Sequence, residues 1–274
     1  MITFIIPTCI QKEIHLNMLI KCIESIRCFH KESFIYLIND SDENYNKEFL
    51  TNILHFNNIE IIDTKIKGSA DQQVFKLILE IDDNSTHYII IQDSMFLNKK
   101  LNNIEEIKDI EFIWHFTNHR IDWDKIIEPE TEFNIKNNII THTDLIRYYL
   151  TKNYFHDESF LKYSLDALDN KNIWCGCFGN CSIVTKQFIQ YLNIKSNFAE
   201  KFMYNNTNRE RRMNESIFSL LCHYYLPKNY EKSFDGLYFD GINSNEFNGK
   251  PTYFYDLKYC CKNNYISKIS FDRQ

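Results

Sequence analysis

The stretch ITFIIPTCIQKEIHLNMLIKCIESI, residues 2–26, decides the fold class. Thr3–Ile6 is a short unbroken apolar run that predicts a buried strand, stopped at Pro7, which has no N–H to continue a ladder. Leu16, Leu19, Ile20, Ile23 and Ile26 then recur at helical spacing, with Lys21 and Glu24 on another face. The alternation repeats downstream. Phe34–Ile38 predicts a second strand ending in Asn39-Asp40-Ser41-Asp42, and Ile59–Ile62 a third. Gly68-Ser69-Ala70-Asp71 opens a helix with Val74, Phe75, Ile78 and Leu79 on its apolar side, and Tyr88–Ile91 predicts a fourth strand running into Gln92-Asp93-Ser94. Strand–helix alternation of this kind implies an α/β fold with a parallel twisted sheet covered on both faces.

Beyond residue 100 the rhythm changes. Phe112–Phe116 predicts another strand, residues 143–170 are largely helical in pattern, and a helix is expected near Lys186–Leu192. Asn214–Tyr225 predicts a helix with Ile217, Leu220, Leu221 and Tyr224 buried, and the last forty residues are aromatic-rich and irregular. With no repeat, linker or low-complexity segment, one domain over 1–274, with halves 1–100 and 101–274, is the economical expectation.

The composition, 44% hydrophobic and 25% charged over 274 residues, is that of a globular chain. A formal charge of −6 argues against nucleic acid as a partner, because phosphate contacts need clustered Lys and Arg. The first apolar run, Ile2 to Ile6, is too short for a signal segment or membrane span, so no integral membrane segment is expected. Nine scattered cysteines, an odd number, lead us to expect reduced thiols and a cytoplasmic setting.

Ligands of open parallel sheets bind beyond the carboxyl ends of the strands, where strand order switches. Polar residues stand at four such ends: Pro7-Thr8, Asn39-Asp40, Lys67-Gly68-Ser69 and Gln92-Asp93-Ser94. An acidic group after the second strand accepts hydrogen bonds from a base or ribose, and Gly68 permits close backbone approach to a ligand at the next helix N-terminus. Any one of these alone reads equally well as a solvated loop.

The segments FIIPTCIQ, IYLINDSD, KGSADQQ and YIIIQDSMFLNKKL resemble the donor half of GT-A glycosyltransferases, particularly the family 2-like group, over about residues 1–100. The resemblance implies a GT-A, Rossmann-like sheet, mostly parallel and flanked by helices, with residues 1–100 as donor half and 101–274 as acceptor and catalytic half. It implies sugar transfer from a nucleotide-sugar donor to a glycan or other hydroxyl acceptor, with inversion. Pro7, Thr8, Asp40, Gly68, Ser69, Gln92 and Asp93 would then bind the nucleotide, with Asp93 in the DXD region that holds a divalent cation, Mn²⁺ or Mg²⁺. A DXD motif carries two carboxylates one residue apart, whereas Gln92-Asp93-Ser94-Met95 offers one.

The segment IWCGCFGNCSIV is similar to the aromatic-and-glycine stretch beside the sugar and acceptor, which would give Trp174 and Phe178 as stacking faces and Gly176 and Gly179 as points of close approach. The alternative is that both aromatics are core. Cys175, Cys177 and Cys181 lack a standard structural-zinc spacing. By the same likeness Glu215, read as lying at a helix start, is the general base; its alternatives are capping that helix or pairing with Arg211 or Arg212. His115, His119, Asp122 and Asp124 are read as an acceptor-side wall. Two rival classes are a GT-A-like binding module without catalysis and a cysteine-rich metal-binding interaction protein.

Overall fold

A computed structural model describes residues 2–41, 51, 53, 55–113, 115–117, 126–154, 157–170, 175–204, 207–226 and 265–268. Four strands, β1 (Ile2–Thr8), β2 (Phe34–Asn39), β3 (Ile59–Asp63) and β4 (His87–Ile90), run parallel, linked by α1 (Glu13–Phe29) and α2 (Ala70–Glu80). After β5 (Met95–Leu97) come β6 (Ile110–Phe112), β7 (His115–Thr117), α3 (Glu132–Lys136), α4 (His142–Tyr154) and α5 (Glu158–Asp169). Then follow β8 (Cys175–Cys177), β9 (Ser182–Thr185), α6 (Lys186–Ser196), α7 (Phe198–Lys201), α8 (Asn208–Tyr225) and β10 (Ile266–Lys268).

The main sheet has six strands in the order β3-β2-β1-β4-β9-β6, and β9 runs antiparallel to both its neighbours. This is a mixed, mostly parallel α/β sheet flanked by helices. Strand order reverses between β1 and β4, which puts the switch point at the carboxyl ends of those two strands. Among the described residues no helix is long and apolar enough to cross a membrane.

Side-chain alternation along the strands builds two cores. Ile5, Ile38, Tyr88, Ile90 and Phe112 point to one face and pack with α2, α4, α5, α6 and α8. Phe4, Ile6, Leu37 and Ile89 point to the other and meet Leu16, Leu19, Ile23 and Ile26 of α1. A strand buried on both faces shows just such a continuous apolar run, which is why Phe4–Ile6 carries no polar residue.

Three expectations need correction. Pro7 does not stop β1: the strand pairs with β2 through Thr8, opposite Asn39. Residue parity turns the missing N–H of Pro7 toward the β4 side, past the last β1–β4 pair, Ile5 with Ile90, so no ladder bond is lost. The strand expected at Phe112–Phe116 is two strands, β6 in the main sheet and β7 paired with β8. Helix α8 begins at Asn208, about two turns before the expected start. Thr207 caps it, its Oγ1 accepting from the N–H groups of Arg209 at 3.2 Å and Glu210 at 3.5 Å, and its hydroxyl also binds the Glu210 carboxylate. Thr207-x-x-Glu210 is a capping box, a signal legible in the sequence.

The helical face of the sheet is knitted by aromatic rings. Phe75 of α2 lies 5.0, 5.1 and 4.9 Å, centroid to centroid, from Phe198, Phe202 and Phe218. Phe75→Ala should lower unfolding free energy by about 3–5 kcal/mol, through lost burial and the cavity left behind. Urea denaturation checks this, and a loss below about 1 kcal/mol would mean the cluster relaxes to fill the space.

Candidate active site

The carboxyl edge of the parallel strands opens into a cleft of about 490 Å³, walled by Pro7, Thr8, Asp40, Gly68, Gln92 and Asp93. Cys9, Gln11, Lys67, Ala70, Asp71, Thr207 and Arg211 complete the lining. Thr8 ends β1 and donates through Oγ1 to Asp93 Oδ2 at 3.2 Å, while the Cys9 N–H reaches the same oxygen at 3.4 Å. These bonds close the switch point, tying the end of β1 to the loop after β4.

Asp40 follows β2 and is held by three groups. The Gly68 N–H reaches its two carboxylate oxygens at 3.1 and 2.9 Å, and Thr64 Oγ1 donates to Oδ1 at 2.6 Å. Lys67 Nζ binds the Asp40 carbonyl. Gly68 has φ +81°, the left-handed region that favours glycine, and this turn aims its N–H at Asp40. Ser69 is absent from the cleft wall, because its Oγ donates back to the Ile66 carbonyl at 2.6 Å.

Two helix N-termini face the cleft. Ala70 and Asp71 stand at the start of α2, and Thr207 caps α8. The helix dipole makes such ends favourable to anions, although in α8 the Thr207 hydroxyl already takes the N–H groups of Arg209 and Glu210. Arg209 fixes the start of α8, with Nε 3.4 Å from Glu128 Oε2 and Nη2 donating to Asn134 Oδ1 at 3.2 Å; His142 Nδ1 meets the other Glu128 oxygen at 2.8 Å.

One turn on, Arg211 lines the cleft and pairs with Glu215, Nε to Oε1, at 3.3 Å. Burial works against the Arg211 charge, yet Glu215, Asp71 and Asp93 outweigh it and raise its pKa. Glu215 is 2% exposed, two turns into α8, and is not part of the cleft wall. The expected helix-start position pointing into the cleft is therefore corrected: Glu215 sits behind Arg211. Burial pushes its carboxyl up to about 6, against the pull of Arg211 and a hydrogen bond from the Gly179 N–H.

Gln92 is pressed between two supports. Lys268 of β10, which pairs antiparallel with β5, donates to Gln92 Oε1, and its Nζ lies 4.8 Å from the Phe178 ring centroid. Gly179, at φ +61°, leaves room for Gln92: a Cβ there would fall 2.1 Å from Nε2. Phe178 and Gly179 thus buttress the wall without lining it. Gly176 lies in β8 opposite Phe116, also outside the lining, and Trp174, His119, Asp122 and Asp124 fall outside the described residues. His115 is buried in β7.

The cysteines of this region are core thiols. Cys177 donates to the Cys181 carbonyl at 3.4 Å, Cys181 lies 3.6 Å from Met95 Sδ, and Cys175 Sγ lies 3.6 Å from His223 Nε2. Burial raises the Cys177 and Cys222 thiols well above their ordinary range and Cys181 to about 12. Among the described residues no group of three His, Cys, Asp or Glu side chains could hold a metal ion.

No family model matches this chain. No curated protein matches it either. Solved structures do: apo mouse xyloside xylosyltransferase 1 is similar at 7% identity, covering 98% of this chain and 97% of that one, with a TM-score of 0.46. Core-mannan synthase A from Aspergillus fumigatus, in its Mn/GDP form, is similar at 14% identity over 80% of this chain and 69% of that one, TM-score 0.38. S. aureus TarS aligns at 10% identity over 36% of this chain, TM-score 0.29, and the chain spans only 18% of the TarS length. Likeness this distant leaves the chemistry to the residues themselves.

Asp71 and Lys268 were not assigned to the site from sequence, whereas Arg211, with Arg212, read either as offsetting phosphate charge or as a solvated face. Asp71 had a usable signal, a carboxylate in the first turn of a helix opened by Gly68, whereas the three-residue strand carrying Lys268 gives none. Burial pulls Lys268 down to about 7, with Arg211 adding to the effect. Between pH 7 and its ordinary value of 10.5 the unfolded chain binds the extra proton, so this residue makes stability rise with pH across that window. Lys268→Met should remove that rise from the difference in urea midpoints, variant against parent. Identical pH profiles would put the ammonium in water.

Proposed function

We propose that this chain is a GT-A-type glycosyltransferase that moves a sugar from a nucleotide-sugar donor to an acceptor hydroxyl with inversion. One observation carries it: Thr8, Asp40, Gly68 and Asp93, from four separate strand ends, converge on a single cleft at the sheet's switch point. Asp40, oriented by Gly68 and Thr64, accepts hydrogen bonds from the nucleoside, with Pro7 and Thr8 alongside. Gln92 and Asp93 border the diphosphate, where Gly68 lets the chain approach closely.

A divalent cation, implied by the resemblance, fits this donor set poorly. Asp93 Oδ2 already accepts from Thr8 and Cys9, Gln92 Oε1 is held by Lys268, and Ile91 and Met95, the positions two residues either side of Asp93, are fully buried apolar side chains. No step is therefore routed through a metal.

In the transfer, the acceptor oxygen forms a bond to the anomeric carbon as the carbon–oxygen bond to the diphosphate breaks, its electron pair leaving with the phosphate. The hydroxyl proton passes to a carboxylate. Asp71 takes this role in place of Glu215, because Asp71 borders the cleft and Glu215 is shielded by Arg211. Asn180 Nδ2 donates to Asp71 Oδ2 at 3.2 Å and orients it. Glu215 becomes the residue that positions Arg211.

A thermal-shift screen of nucleoside diphosphates and nucleotide sugars tests the reading, since a ligand bound only by the native state raises the melting temperature. At least one should do so, and none doing so would sink it. Asp71→Asn should retain donor binding and lose at least ~10²-fold in transfer, the lower end of what a positioned base contributes. Nucleotide binding with no transfer by the parent chain would instead favour a catalytically silent binding module, the rival suggested by the missing second carboxylate.

A further inference from the structure

Two positive groups, Arg211 and Lys268, gather where a diphosphate would lie, beside a cleft whose wall also carries the carboxylates of Asp40, Asp71 and Asp93. Arg211 lines the cleft from the second turn of α8, just beyond the Thr207 cap. Its guanidinium is steadied by Glu215 at 3.3 Å, a partner itself 2% exposed and held by the Gly179 N–H, so its aim is fixed from behind. Lys268 sits one side chain deeper, pinned on Gln92 and over the Phe178 ring. Lys67 closes the nucleoside side, bound to the Asp40 carbonyl. We propose that Arg211, reinforced by Lys268 behind Gln92, holds the donor diphosphate and neutralises the leaving group in place of a divalent metal. This rests on the glycosyltransferase reading above.

The physical case is one of charge. A metal at a diphosphate serves chiefly to offset charge that grows as the leaving group departs. Fixed cations in a water-poor wall do the same without reorganising. A divalent ion near Asp93 would face Arg211 and Lys268, like charges in a poorly solvated setting where repulsion is strong. An anion there is favoured by both. Met95 fits the same logic: its side chain is buried and its sulfur accepts from the Gln92 N–H at 3.0 Å, so this loop presents no second carboxylate to compete for the cations. A bound diphosphate also restores the charge that burial costs Lys268, because a neighbouring anion favours the ammonium.

The test is titration calorimetry of the full chain with inorganic pyrophosphate, UDP and GDP, each in EDTA and again in Mn²⁺. Pyrophosphate and at least one nucleotide should bind in EDTA within about threefold of the affinity in Mn²⁺. Arg211→Gln should weaken them by about 10–100-fold, the cost of losing a hydrogen bond to a charged group, while Arg211→Lys recovers much of the loss. Lys268→Met should weaken them by about tenfold or less, because it acts through Gln92. Binding that needs Mn²⁺, or binding in EDTA indifferent to Arg211→Gln, overturns the proposal. The EDTA and Mn²⁺ comparison on the parent chain decides even where a variant fails to fold. Pyrophosphate bound through Arg211 with no nucleotide bound would keep the anion site and remove the glycosyltransferase reading. No binding by any probe in either buffer overturns both.

Discussion

β1 keeps two parallel neighbours because the chain crosses one face through α1 to reach β2 and, after β3, crosses the other through α2 to reach β4. That divergence leaves a gap at the carboxyl ends which neither crossover covers. Thr8 and Asp93 stand on its two lips and are joined by a 3.2 Å hydrogen bond, so the strand ends cannot drift apart without breaking it. Every other wall of the cleft is set relative to this seam. Asp40 comes from the next strand out, Gln92 from the loop after β4, and Arg211 from the helix that packs under β8.

The amino-terminal half was legible because its signals are local. Apolar runs of strand length, a helical stripe from Leu16 to Ile26 and polar strand ends each depend on a few neighbouring residues. The second half depends on contacts that the sequence does not order. Nothing in Ser182–Thr185 marks it as an antiparallel strand inserted between β4 and β6. The start of α8 was legible in the Thr207-x-x-Glu210 capping box, yet the apolar stripe is strongest after Asn214 and drew the boundary there. That displacement also misjudged Glu215, whose distance from the helix start removes the dipole argument and whose burial gives a different reason for a raised pKa.

Glu215, Arg211 and Lys268 together are an expensive arrangement for stability. Burying charges costs several kcal/mol each in desolvation, returned only when partners are close and well placed. The pull toward neutrality at Glu215 and Lys268 is that cost made visible, while Arg211 stays charged because carboxylates surround it. A fold seeking stability alone would fill this space with apolar side chains, as it does around Phe75. Strongly perturbed groups beside a cleft make it a candidate site.

The contact between Lys268 and Gln92 joins residues 176 positions apart. Closing so long a loop carries an entropic cost that no local interaction offsets, and strand β10 is only three residues long. In the course of folding, the parallel strands, linked by near-neighbour crossovers, have the shorter loops to close. The sheet and the seam at Thr8 are built without β10, so a chain with β10 undocked would keep both. In that condition Lys268 is hydrated and fully protonated, Gln92 Oε1 lacks the Lys268 donor, and the edge of β5 is bare. Docking of β10 adds Ile266 to the core and carries Lys268 behind a wall that Asp71, Asp93 and Arg211 already make charged.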